Sequence, residues 1–138
     1  MSRARRRALA VAALLFTAAP GCGTPSPDLF LVNRTGTVPG AKLRLLVSDQ
    51  TTRCNDGPVE NLTSAQILEA RDIRDELHLI QEGETTVPRA APAEVFSFAV
   101  KTELGTLRYP DTAQRPAVLP RLSRFVRRVA IDTCGLER

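Results

Sequence analysis

Two stretches of this chain carry large apolar residues at every second position, and each is followed by a stretch whose apolar residues recur at helical spacing. That order of periods constrains the fold more than any other feature. In "AKLRLLVSD" (41–49), Leu43, Leu45 and Val47 fall on one face and Lys42, Arg44 and Ser48 on the other. In "EVFSFAVKT" (94–102), Phe96, Phe98 and Val100 share a face opposite Val95, Ser97 and Ala99. A period of two is the mark of a strand with one buried side. "DLFLVNRTG" precedes the first stretch across a turn rich in Gly and Pro, and "TLRYP" follows the second across Glu103-Leu104-Gly105, so each belongs to a hairpin. A third short strand is expected around Arg53 and Cys54, ended by Asn55-Asp56-Gly57-Pro58.

Between the hairpins, Thr63 and Gln66 have the spacing of a capping box. Ile67, Ala70, Ile73 and Leu77 then form an apolar stripe, with Glu69, Asp72, Asp75 and Glu76 mainly opposite, which predicts an amphipathic helix ending just before His78. "LPRLSRFVRRVAIDTC" carries a second stripe of Leu119, Leu122, Phe125, Val126, Val129 and Ala130, with Gly135 as its stop. Two one-sided helices need a sheet face to cover. The predicted architecture is α+β: an antiparallel sheet of four to five strands in the order ββ(β)-α-ββ-α, in a single domain over residues 28–138.

The residues before 28 read differently. Arg3, Arg5, Arg6 and Arg7 precede the apolar run "ALAVAALLFTAA", which is too short to span a hydrocarbon core of about 30 Å. A positive start, a short apolar run and small residues make a secretory signal peptide over 1–21. "APGC" then resembles a bacterial lipobox, with Cys22 as the lipid attachment site and "GTPSP" as a tether to residue 27. The resemblance implies an exported protein held to the outer face of the cell membrane. The alternative is plain signal cleavage after Ala19, which would place Pro20 directly past the scissile bond.

Three cysteines in an exported chain leave one unpaired. With lipid on Cys22, Cys54 and Cys134 remain as an even pair in an oxidising compartment. Their bridge would close a loop of about 80 residues, worth roughly 4–5 kcal/mol in the chain-entropy model. Two buried free thiols are the other reading of the same pair.

Charge and motif content narrow the function. Lys and Arg total 19 against 15 Asp and Glu, but the four leading arginines account for the whole excess. The folded part is formally neutral, which argues against a nucleic-acid footprint. His78 is the sole histidine, and no Gly-x-Ser-x-Gly turn or phosphate-binding loop is present. A nucleophile would lack its visible base and orienting group, so no catalytic residue, metal ligand or cofactor is assigned. Asp72, Asp75 and Glu76 interleave with Arg71 and Arg74 as an ion-paired face rather than a calcium loop. "NLT" at Asn61 matches a glycosylation sequon, but reads more simply as the entry to the helix.

The lipobox-like "PGCG", the preference for Arg over Lys and the single paired-cysteine domain look like small exported lipoproteins of high-GC actinobacteria. "DLFLVNRTGTVPGAKLRLLVSD", then a helix, then "FSFAVKTELGTLRYPD" and "PAVLPRLSRF", is similar in order to emfourin-type inhibitors of thermolysin-like proteases. The Gly-rich first turn expected of that family is only partly present, as Gly36 and Gly40, and no inhibitory residue is carried over by position. This second resemblance covers most of the chain after residue 28, and it implies a protein-binding role with an extracellular metalloprotease as partner. The alternative is an envelope-associated lipoprotein with no discrete ligand. The candidate partner-binding surfaces are the first strand with its loop (Arg34, Gly36, Gly40), the loop Gln81–Ala93, and the helix face of Arg121, Arg124 and Arg128.

Overall fold

The computed structural model describes residues 28–83, 86–88 and 95–137. The stretch read as a signal peptide, Cys22 with the segment read as its tether, and most of the loop 84–94 lie outside the described residues. Six strands and two helices follow in the order β1 (Asp28–Gly36), β2 (Leu43–Ser48), β3 (Thr51–Cys54), β4 (Val59–Asn61), α1 (Ser64–Glu82), β5 (Phe96–Thr102), β6 (Gly105–Pro110) and α2 (Val118–Arg128). A five-residue π-helical turn, Val129–Thr133, extends α2.

The strands form one antiparallel sheet in the order β4-β3-β2-β1-β5-β6. The α+β class, both hairpins and both helices agree with the sequence expectation. The strand count does not: there are six, where four to five were expected. The extra strand is β4, three residues that pair with β3 and bury no side chain fully. Without a buried face it leaves no alternation to read.

β1, named as part of a candidate binding surface, lies in the middle of the sheet, between β2 and β5, with alternate side chains buried. Its register shifts between Asp28 and Phe30, a bulge that lets the consecutive residues Leu29 and Phe30 both turn inward. From Val32 onward strict alternation resumes, and Val32 faces Leu45 on one side and Val100 on the other.

Both helices serve one face of the sheet. Ile73 and Leu77 of α1 and Leu119, Leu122, Phe125 and Val126 of α2 join Phe30, Val32, Leu45, Val47 and Val100 in a single core. The Phe30 and Phe125 rings meet edge to face at 6.2 Å, tying the central strand to α2. Phe98 and Tyr109 stack at 5.0 Å on β5 and β6.

The capping box at Thr63 is complete. The Thr63 hydroxyl accepts from the Gln66 amide at 3.2 Å, and the Gln66 side chain accepts from the Thr63 amide at 2.8 Å. The helix it starts runs four residues past His78, to Glu82, which corrects the expected end. Cys54, at the end of β3, stands at disulfide distance from Cys134, just past the π turn, with Cα atoms 6.1 Å apart. The pair joins the sheet to the end of the helical layer, between the two segments the sequence named.

Candidate functional site

The side of the sheet away from the helices carries the second half of each strand's alternation. The register assembles it into rows. Arg44, Asn33, Ala99 and Arg108 lie side by side across β2, β1, β5 and β6. Leu31, Lys101 and Thr106 make the next row, and Thr35, Ser97 and Pro110 the row on the other side. The short side chains of Ala99, Ser97 and Asn33 leave a depression between the longer ones. It forms a cleft of about 560 Å³, floored by β1, β5 and β6 and flanked by Val87 and Pro88.

Two cations stand in this cleft. Lys101 and Arg108 are both exposed, and neither has an ion-pair partner among the described residues. No Asp or Glu is among the described residues that line it. Asn33, Thr35 and Thr106 add amide and hydroxyl groups at its floor. The aromatic side chains of β5 and β6 point the other way, since Phe98 and Tyr109 are buried on the helix side.

Arg34 has a different part from the one expected of it. It shares the inward parity of Phe30 and Val32, and is only 4% exposed. Its Nε donates to the Ala41 carbonyl at 2.9 Å, its Nη2 to the Gly40 carbonyl at 3.3 Å, and its guanidinium lies 4.9 Å from the Phe96 ring centroid. Burial lowers its pKa from the ordinary arginine value. Arg34 therefore holds the loop 37–42 from inside the fold, and does not present its charge to a partner.

The two glycines of that loop have backbone reasons. A Cβ on Gly36 would lie 2.4 Å from the Val95 carbonyl oxygen, so only glycine fits where β1 meets the start of β5. Gly40 has φ 74°, in the left-handed region, with open space around it. The start of β5 is fixed further by Asp111, whose carboxylate accepts from the amides of Val95 and Phe96 at 3.2 and 3.0 Å. Of the first candidate surface, Gly36 and Gly40 shape the loop, Arg34 secures it, and the loop itself stays at the surface.

The arginine face of α2 divides in two. Arg121 reaches back to α1, with Nη1 2.7 Å from Glu76 and Nη2 3.4 Å from Asp72. Arg128 pairs with Glu69. Both arginines join the helices to each other, with Glu69, Asp72 and Glu76 as their counterions. Arg124 is exposed, as is Arg127, and neither has an ion-pair partner among the described residues. Sequence reading grouped Arg128 with Arg124 and passed over Arg127. Only the position of α1 separates them.

His78 lies within α1, its Nε2 3.7 Å from Glu103 Oε1 at the β5–β6 turn. Among the described residues no three His, Cys, Asp or Glu side chains group so as to hold a metal ion, and no helix is long and apolar enough to cross a membrane. Compared with protein-family models, curated proteins and solved structures, the chain matches none.

Proposed function

We propose that the protein is an exported, lipid-anchored binding domain, attached through Cys22, whose partner is an extracellular protein. A secreted metalloprotease of the thermolysin type is the partner that the resemblance to emfourin-type inhibitors puts first. The observation that carries the binding role is the concave outer face of the sheet. It is built on three paired strands, left uncovered by both helices, and carries polar and cationic groups that the core does not use beside the apolar Val87, Pro88 and Pro110. Binding residues are typically presented by a rigid scaffold in this way. The loop 37–42, secured by Arg34, borders the same end of the sheet and extends the surface.

The test is to add the full chain, solubilised in nonionic detergent, to a thermolysin-type protease secreted by the same organism. Stoichiometric loss of peptide hydrolysis is expected. Unchanged hydrolysis for every cognate extracellular protease at micromolar chain would remove the inhibitor reading. Turnover of a small substrate by the chain, lost on His78→Ala, would overturn the binding role itself.

A further inference from the structure

The cleft on the outer face has a charge pattern specific enough to name what fits it. Lys101 faces Thr106 and Ala99 faces Arg108, so Lys101 and Arg108 are diagonal neighbours across β5 and β6. Such diagonals in an antiparallel pair are roughly 7–8 Å apart. Both side chains rise from the same face, beside a low floor of Ala99, Asn33 and Thr35.

Two cations at that spacing, with no acid among the described lining residues, suit a ligand with two anionic groups. In an extended peptide, residues i and i+2 point to one side and are about 7 Å apart, twice the rise of a strand. Alternate carboxylates on such a segment would meet Lys101 and Arg108 together. The intervening side chain would point away, and Thr35, Thr106 and Asn33 would be left to bond its backbone. The apolar flank of Val87 and Pro88 matches a peptide better than a polyanion. Stacked bases have little platform here, because Phe98 and Tyr109 bury their rings on the helix side and Phe96 is half-buried with the Arg34 guanidinium over its ring.

We infer that the outer face of the sheet docks an extended acidic segment of the partner protein, with carboxylates at alternate positions held by Lys101 and Arg108. This rests on the proposal that the partner is a protein, and names the chemistry that would be recognised.

The experiment uses fluorescent octapeptides and the full chain in nonionic detergent. One peptide carries two aspartates at alternate positions, one carries them adjacent, and one has both replaced by asparagine. The alternate peptide should bind most tightly, and its affinity should fall as salt rises through the physiological range. Lys101→Gln and Arg108→Gln should each weaken it about fivefold, and the pair together more than tenfold. Arg124→Gln with Arg127→Gln, a control of equal charge on the opposite side, should leave it unchanged. Equal binding of adjacent and alternate peptides, or full binding by the Lys101→Gln, Arg108→Gln double variant, would overturn the inference. So would preferential binding of anionic phosphatidylglycerol vesicles through the same two residues. A captured protein partner whose binding ignores both cations would also end it, while leaving the protein-binding role intact.

Discussion

The two faces of one sheet show what each half of an alternating sequence is for. On the helix side, Val32, Leu45, Val47 and Val100 are fully buried in one core with side chains of α1 and α2. On the other side, Asn33, Lys101, Thr106 and Arg108 are exposed and Ala99 is half-buried. The strands are the same and the register is the same, but only one face is needed for folding. The other is free to be specified by what it meets.

The contrast can be broken most strongly from the covered side. Leu122→Ala leaves a void where α2 meets the sheet, and should cost about 2–5 kcal/mol in urea unfolding. A loss below about 1 kcal/mol would mean that α2 is not seated on the core as described.

A smaller effect tests the border between the faces at β6. Tyr109 is the chain's only tyrosine, and there is no tryptophan, so tyrosinate absorbance reports this residue alone. Burial raises its phenol pKa, opposed by the hydrogen-bond contact of its hydroxyl with Ser123 at 3.2 Å. The folded state therefore keeps a proton that the unfolded chain releases near pH 10. Stability is intact below that pH and falls as pH climbs from there toward the raised folded value. Tyr109→Phe should flatten that part of the stability profile, and an equally steep fall in the variant would assign it to other groups.

The smallest effect is expected on the open face. Lys101→Gln, Arg108→Gln and Thr106→Ala should each shift stability by no more than about 0.5 kcal/mol. A cost above about 1 kcal/mol at any of them would show that the outer face also holds the fold together.

The same division explains what was legible in the sequence. The covered face was, because burial imposes a period: Leu43, Leu45 and Val47, or Leu119, Leu122 and Phe125, could only be read one way. β4 was not, since Val59–Asn61 has no buried side to make a pattern. The end of α1 was misplaced because half-buried Ile80 and Gln81 lie past the clear stripe, before the stop at Gly83.

Arg34 held a signal that went unused. It sits in step with Phe30 and Val32, and a cation at an inward position needs internal acceptors. The cleft offered no comparable clue. Lys101 and Arg108 occupy ordinary polar positions in their own strands, and they become a pair only when β5 and β6 are set in register. Likewise, Arg121 and Arg128 separate from Arg124 only once α1 lies alongside.

The Cys54–Cys134 pair also determines how the domain would respond to being pulled. With the two sulfurs bonded, tension entering at Asp28 and leaving past Cys134 would cross directly from one to the other, bypassing everything between them. β1, β2 and β3 lie on the loaded path, while β4, α1, β5, β6 and α2 lie inside the bypassed loop. Because β1 is hydrogen-bonded on both edges, the first step is a shear of the central strand against two neighbours at once. Beyond that, only the short segment ahead of Cys54 can be drawn out. An unfoldase or a threading pore would stall there, with most of the chain still a closed ring, until the bond is reduced.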